Sequence, residues 1–417
     1  MLKSKAADNN RQALNHLHHS TGAKMKKFQD SGRTLLHGEK FAQKVTKEAG
    51  DLTFNSIPIF ELGQDEAGSN KYLNDAKLVI KVSSLSGGTG GSYRRLVDGF
   101  AAALFKSIEI KYNSNRILLY DSKEEIHQML KLSHTYDEWQ TYSSNYGYLS
   151  ASDRNSASSN SQTFILPLMR IFKFLAQKRF PLWKLKHDLR FEFSTEEMSK
   201  LTETDHSSGN VSFTIEDMYM DVEMIRDDGA YAYDSKIEVD SFTNFIPKVR
   251  NIYVNNSATQ AQEVITELQN ENILFITLAM TNNSNYSAND YFTYSQIDQY
   301  SLEANGNRIH GSNYDITDSD FKNIYLPRYE PLNYRDIKDD NLYIVYYGSR
   351  LAQDMLPFNP SKLNSFQNEL TYARKFTENT VKFIFRWNSG VTGNHTIRMV
   401  AYTIEHLVLK NGELNII

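Results

Sequence analysis

The 417-residue chain has no cysteine, which excludes disulfides, thiolate zinc centres and cysteine nucleophiles. A chain this long can hold a core together without covalent staples. No run of about 18 apolar residues occurs, so no transmembrane helix is expected. The start, MLKSKAADNNRQ, is polar and lacks the apolar stretch of a secretory signal. The formal net charge is −4, so the whole chain makes no case for nucleic-acid binding, and none that is sequence-specific is expected.

Catalytic signatures are missing too. There is no Gly-x-Ser-x-Gly elbow and no His-Glu-x-x-His pair. GGTGGS at 87–92 is not followed by the Lys-Ser/Thr that a phosphate cradle needs, so it reads as a loop. His16, His18 and His19 form the one histidine cluster, without the further ligands a metal needs, and read as polar surface. The paired acids of RDDG and KDDN read as solvated turns. Trp139, Trp183 and Trp387 fall in expected helices or strands and read as core or interface residues rather than sugar platforms. No catalytic residue, metal or cofactor is expected.

Aromatic residues are abundant, with 25 Tyr and 23 Phe, set between Asn/Ser/Gly loops. Such residues fit a pleated, half-buried surface and favour a β-rich protein. Residues 1–50 differ: ten Lys/Arg stand against four acids, with no Trp or Tyr. This segment reads as a basic arm, with a short amphipathic helix within 34–49 carrying Leu36, Phe41 and Val45.

From Asp51 strands are expected at 52–62, 76–85, 104–112, 116–121 and 210–225. SKEEIHQMLKLSHTYDEW (122–139) predicts one helix, with Ser122 as cap and Glu125 completing a capping box. A Ser/Asn-rich loop follows at 149–162. RDDGAYAYDS (226–235) reads as the domain linker. Strands are then expected at 236–246, 249–254, 261–268, 272–281, 292–304, 341–347, 380–387 and 396–409, with a helical piece near 318–325.

The two halves repeat. NSNRI (113–117) closes a strand ending in SIEIKY, and NGNRI (305–309) closes one ending in YSLEA. LAQKRFPL (175–182) recurs as LAQDMLPF (351–358), each after an apolar strand. The matches keep their order and their neighbours, which predicts two copies of one β domain and equivalent places for Pro181 and Pro357. The block from Phe164 to Phe193 holds two prolines and seven Lys/Arg. It reads as strand 164–174, a turn, and strand 183–193. Leu185, Leu189, Phe191 and Phe193 are expected to point inward, with Lys184, Lys186, His187 and Arg190 facing solvent or a neighbour.

LPLMRIFKFLAQKRFPLWKLKHDLRFEF resembles the signature of the double-jelly-roll major capsid proteins of tailless icosahedral double-stranded DNA viruses. Pro167, Leu168, Phe172, Phe174, Phe180, Pro181, Leu182 and Leu185 stand at the places of that signature. VDGFAAALFKSIEIKYNSNRI is similar to the family's Ser-x-Glu strand. ELTYARKFTENTVKFIFRWNSGVTGNHTIRMVAY looks like its closing strand pair, although Arg374 and Lys375 stand where the family has Asn. The resemblance covers roughly residues 52–417 and leaves the virus group open.

It implies an all-β chain of two tandem eight-stranded antiparallel jelly-roll sandwiches with short helical insertions. The implied division is an arm over 1–50, a first jelly roll over 51–228 and a second over 229–417. It implies homotrimeric pseudo-hexagonal capsomers that tile an icosahedral shell, in contact with neighbouring capsomers and minor capsid or penton proteins. Assembly would take place inside the host cell. The loops at 140–162 and 282–296 would decorate the outer face. The arm, with Lys24, Lys26 and Lys27, would lie at the inner face, where it could clamp capsomers or meet an internal membrane. The rival class is a carbohydrate-binding β-sandwich such as a receptor-binding spike, which needs neither the tandem repeat nor the arm. A minor capsid or penton protein would commonly carry a single jelly roll.

Overall fold

The computed structural model describes residues 39–63, 71–176, 180–227, 231–232, 234–255, 262–266, 268, 271–282, 297–312, 343–347, 374–375, 377, 381–387 and 394–416. The first half supplies eight main strands: β1 (Glu39–Thr46), β2 (Ile59–Leu62), β3 (Lys71–Val82), β4 (Phe105–Tyr112), β5 (Asn115–Tyr120), β6 (Gln162–Pro167), β7 (Leu189–Thr195) and β8 (Ile215–Arg226). The second half supplies eight more: β9 (Val239–Asn255), β10 (Gln262–Thr266), β11 (Asn272–Asn282), β12 (Ile297–Ala304), β13 (Asn307–Ser312), β14 (Tyr343–Tyr347), β15 (Val381–Trp387) and β16 (Asn394–Lys410). A closing strand, β17 (Glu413–Ile416), folds back on β16.

In the first half the sheets run β1-β8-β3-β6 and β2-β7-β4-β5. In the second they run β9-β16-β11-β14 and β10-β15-β12-β13. Adding eight to each label of the first half gives the second. All these neighbours are antiparallel, and this strand order makes each half an eight-stranded jelly roll.

The repeat read in the sequence falls at one step of the two rolls. Asn113 and Ser114 join β4 to β5, with φ of 46° and 68°. Asn305 and Gly306 join β12 to β13, with φ of 48° and 79°. Two consecutive positive φ angles make the hairpin turn whose twist matches its strands, which is why Asn recurs at both first positions. The second repeat is half visible. β6 and β14, the strands before the two LAQ segments, are equivalent, while residues 351–358, with Pro357, lie outside the described residues, as does the helical piece expected near 318–325.

Alternation sets the first core. Met218, Met220 and Val222 of β8 and Leu78, Ile80 and Val82 of β3 are buried. They face Phe60, Ile108, Ile110, Phe191 and Phe193 of the other sheet, all without exposure. Leu185 and Leu189 are buried with them, as expected. Between these inward residues β8 carries Asp217, Tyr219, Asp221 and Glu223 on the outer face.

Three expectations are corrected. The helix within 34–49 is instead strand β1, paired with β8 from Glu39↔Arg226 to Thr46↔Tyr219. The apolar spacing of Phe41 and Val45 suits either structure, and a partner strand from the far end of the roll decided it. The first sheet therefore begins inside the stretch read as the arm. Second, the strand expected over 164–174 ends at Pro167, which lacks an N–H to continue the ladder; short helical turns follow at Leu168–Ile171 and Lys173–Ala176. The partner strand starts at Leu189, after a 3₁₀ turn over Leu182–Lys184.

Third, the helix over 122–139 is two. The helical insertions are α1 (Phe100–Ala103), α2 (Lys123–Leu132), α3 (Tyr136–Tyr142) and α4 (Ala151–Ala157). Ser122 caps α2 by accepting from Glu125 N at 3.3 Å, while the Glu125 carboxylate takes the N–H of Asp121 at 2.9 Å. Thr135 and Glu138 form a second capping box, which restarts the helix after Ser133 and His134. Ser150 caps α4 within the expected loop.

Candidate functional site

No group of three or more His, Asp or Glu that could hold a metal occurs among the described residues, and no described helix is long and apolar enough to cross a membrane. The concentration of buried polar geometry lies elsewhere, at the seam between the two sandwiches and in the crown of loops above the first.

One apolar cluster runs through the seam, from Phe172, Phe174 and Phe180 of the first sandwich to Phe242, Phe275, Val400, Tyr402 and Leu407 of the second. Phe180 and Phe242 stack with centroids 4.9 Å apart. Thr277 of β11 and Tyr402 of β16 each donate a hydroxyl hydrogen bond to Gln128 Oε1 on α2, both at 3.0 Å. Asn244 Nδ2 donates to the Ile117 carbonyl at 3.0 Å. Lys184 pairs with Asp240 at 2.5 Å, with both side chains close to nine-tenths buried. The run MVAYTI (399–404) is apolar at both parities because Met399 and Ala401 are buried as well as Val400 and Tyr402, so this sheet is covered on both faces.

The β16–β17 hairpin pins the lower end of the seam. Its Gly412 carbonyl accepts from Lys186 N at 3.0 Å and from the Tyr112 hydroxyl. Gly412 sits at φ 79°, and a Cβ there would come within 2.6 Å of Lys186 Cγ and 3.0 Å of the Lys184 carbonyl oxygen. Gly412→Ala is therefore expected to cost about 1–3 kcal/mol, read as a lower urea midpoint. An unchanged midpoint would mean that the hairpin carries no part of the seam.

The crown gathers the β3–β4, β5–β6 and β7–β8 connections. Glu203 receives Arg95 Nε at 2.6 Å and Arg154 Nη1 at 2.7 Å, one arginine from each of the other two connections. Arg154 also donates to the Leu96 carbonyl at 2.8 Å. The GGTGGS loop lies along 204–212 as an irregular ribbon, tied at Ser86–Ser212 and Thr89–Ser208. Asp205 accepts from Ser92 N at 2.9 Å and Tyr93 N at 2.8 Å, and these bonds, with that of the Ser92 hydroxyl, hold its carboxyl down at about 2.

Two histidines lie in the insertion, His134 buried and His127 partly buried. His127 meets the Tyr148 hydroxyl through Nδ1, and burial holds its pKa well below the usual value. His134 places Nδ1 2.6 Å from the Leu130 carbonyl and Nε2 2.9 Å from the Tyr146 hydroxyl. Burial lowers its pKa to about 4, opposed by the Leu130 bond and aided by the Arg170 charge. A histidine depressed in the folded state contributes full stability above its unfolded value of about 6.5 and loses it as pH falls toward about 4. The expected loss across that window is about 3 kcal/mol, measured by urea unfolding at pH 7 and at pH 4. His134→Gln should remove this share of the pH dependence; an unaltered slope would refute the assignment.

The signature residues lie together around β6 and the seam. Pro167 pairs with Lys77 at the end of β6. Leu168 is buried in the helical turn that follows. Phe172 packs on Tyr120 at 5.8 Å and on Phe191 at 6.0 Å. Phe174 packs edge-on to Phe180 at 6.0 Å. Pro181 precedes the 3₁₀ turn of the buried Leu182. Trp183 stacks with Tyr72 and Tyr231, and Trp139 is buried with His134, Tyr146 and Tyr148, as packing residues rather than a sugar platform. Lys184 faces its neighbour sandwich, whereas Arg190 is half-exposed. Pro357, Lys24, Lys26, Lys27 and the 283–296 part of the outer loop lie outside the described residues. Sequence reasoning missed Gln128, Arg154, Glu203 and Tyr402; the double-parity apolar run at 399–404 was the one signal that pointed to a seam.

No family model matches the sequence, and no curated protein is similar to it in sequence. Solved structures are similar in fold. A quasi-atomic model of the PBCV-1 virus capsid superposes with a TM-score of 0.67 at 13% identity, covering 92% of this chain and 97% of that one. The Faustovirus major capsid protein gives 0.65 at 10% identity, covering 95% and 98%. A chain of the Sputnik virophage structure gives 0.56 at 9% identity, covering 91% and 88%. With two rolls of one strand order, joined in tandem through a shared core and matched over nearly their whole length, the chain has the double-jelly-roll fold of the viral major capsid proteins.

Proposed function

We propose that the protein is a viral major capsid protein, acting by assembly rather than catalysis. The observation that carries this reading is the tandem pair of jelly rolls with one strand order and one continuous seam. A rigid double unit offers two similar sides to its neighbours, which suits a trimer of pseudo-hexagonal outline. A sugar-binding sandwich has no use for the second copy or for the seam. In this reading the capsomer meets neighbouring capsomers and minor capsid or penton proteins in the virion shell, after assembly inside the host cell.

The proposed division keeps an arm, a first roll to residue 228 and a second from 229, with the first roll's opening strand drawn from Glu39. Pro167, Leu168, Phe172, Phe174, Pro181 and Leu182 are proposed as the structural signature that turns the chain from β6 into the seam, with Pro357 as the counterpart of Pro181. Lys24, Lys26 and Lys27 are proposed to lie at the inner face, against capsomers or an internal membrane.

The full chain should run as a stable trimer, at three times the 48.0 kDa of one chain, and form hexagonal particles in electron micrographs. A 48.0 kDa monomer that binds glycans on an array would overturn the reading in favour of the sugar-binding sandwich. Deleting residues 1–38 is expected to leave the trimer intact and abolish shells. Deleting 1–50 removes β1, leaves one edge of β8 unpaired and should unfold the first roll. Shells formed without 1–38 would end the assembly role of the arm.

A further inference from the structure

The chain contains two Asn-Gly pairs, Asn305–Gly306 and Asn411–Gly412. Each fills a two-residue turn, one between Ala304 and Asn307, the other between Lys410 and Glu413. Their φ angles nearly coincide, at 48° and 79° in the first and 52° and 79° in the second. Both asparagines are exposed. Asn-Gly is the pair most open to loss of the side-chain amide, because glycine sets no side chain in the path of its own nitrogen. That nitrogen attacks the Asn Cγ and closes a five-membered imide; its proton passes to Nδ2, which leaves as ammonia. Water then opens the ring at either carbonyl, giving aspartate or isoaspartate. In isoaspartate the main chain runs through Cγ and is one carbon longer.

The turn itself opposes the attack. As the mirror image of a type I turn it holds ψ of the asparagine at about +30°, which sets the next nitrogen on the far side of the Cα–C bond from Cβ. The ring closes only when the turn opens, so the rate follows the open fraction. The two turns differ in their support. Among the described residues, a Cβ built on Gly306 meets nothing within 4 Å. Gly412 is held: its carbonyl accepts from Lys186 N at 3.0 Å and from the Tyr112 hydroxyl. Tyr112 is 1% exposed and its oxygen in turn accepts from His187 N at 3.2 Å. Glu413 pairs with Lys186 at 3.4 Å, and Leu414 is buried.

We propose that Asn411–Gly412 is a deamidation site guarded by the docking of its hairpin on the first roll, and that its conversion loosens the seam irreversibly. Isoaspartate at 411 adds a carbon to a two-residue turn, and the Gly412 carbonyl then no longer meets both Lys186 N and Tyr112. The seam thus carries a one-way clock that advances only while the hairpin is undocked. Asn305–Gly306, in the same turn without that docking, advances unguarded. The site belongs to the single chain, so it stands whether or not that chain forms trimers.

The test follows both sites in the full chain by peptide mapping with mass spectrometry, in mildly alkaline buffer. The chain unfolded in urea converts at both sites and sets the period of observation. In the folded wild type Asn411 is expected to convert about 5–150-fold more slowly than Asn305, the weight of the two Gly412 hydrogen bonds. Tyr112→Phe, shown to be folded by thermal melting, removes one of those bonds. It should raise the Asn411 rate about 2–12-fold and leave Asn305 unchanged. Lys186→Ala, at a side chain 57% exposed, is a second variant. It removes the Glu413 pair and the Cγ that lies over Gly412, and carries the test through the same selective rise where Tyr112→Phe fails to fold. The folded variant is then aged with and without Asn411→Gly, which accepts the positive φ and cannot deamidate. The urea midpoint should fall on ageing in the first and hold in the second. Equal rates at the two sites in the folded wild type, or an Asn411 rate that neither variant raises, overturns the guard. Conversion at 411 with an unchanged midpoint overturns the loosening of the seam.

Discussion

Phe180→Ala is expected to cost about 3–5 kcal/mol, the range for emptying a buried phenylalanine site. Phe180 has no exposure and is held from two sides, by Phe242 of the second roll at 4.9 Å and Phe174 of the first at 6.0 Å. Its loss leaves a void at the point where the apolar cluster crosses from one roll to the other. The nearby polar links cannot close it, because the Lys184–Asp240 pair fixes the separation of the two backbones. Two readouts follow. The urea midpoint should fall, and a single transition should split as the rolls unfold apart. A loss below about 1 kcal/mol with one sharp transition would show that the seam collapses onto the gap and that packing there does not join the rolls.

Glu203→Ala is expected to cost a similar amount, about 3–5 kcal/mol, for a different reason. The Glu203 side chain is 5% exposed and neutralises two arginines, Arg95 at 19% and Arg154 at 10%. Without it, two cations remain side by side in a place poor in water. The crown should open, and limited proteolysis should cut within 83–96 and 201–214. Replacing all three by apolar residues of similar size should restore most of the loss, since the one carboxylate left without Arg154, Asp98, lies 3.8 Å from it and is 44% exposed. If the single and triple variants lose the same amount, the triad matters through its shape and not through its charge.

Particular residues show what could be read in advance. The two turns were legible because Asn-Ser and Asn-Gly meet a backbone demand that few residue pairs meet, although the return strand Asn307–Ser312 was not expected. Strand β8 was legible because one of its faces is charged and the other is apolar. Strand β1 was not, since Phe41 and Val45 fit a helix equally well and the deciding contact is with the far end of the roll. The break after Pro167 was hidden because LPLMRIFKF is apolar throughout, and apolar runs do not distinguish a strand from buried helical turns. Gln128 looked like a surface residue of an amphipathic helix, and Arg154 like part of a polar loop. Only the partners supplied by other segments, Thr277 and Tyr402 for one and Glu203 for the other, give them buried roles.

The pairing of first strand with last has a consequence for synthesis. β1 pairs with β8 and β9 with β16, so each roll closes only after its final strand exists. At about 5–20 residues per second, the stretch from Arg226 to Lys410 takes roughly 10–40 s to translate. For that interval the first roll is complete while the side bearing Phe180 and Gln128 waits uncovered on the ribosome. Neighbouring ribosomes on one message would hold the same side bare at the same stage. The hazard built into this order of synthesis is therefore exchange, in which the second roll of one nascent chain settles on the first roll of another.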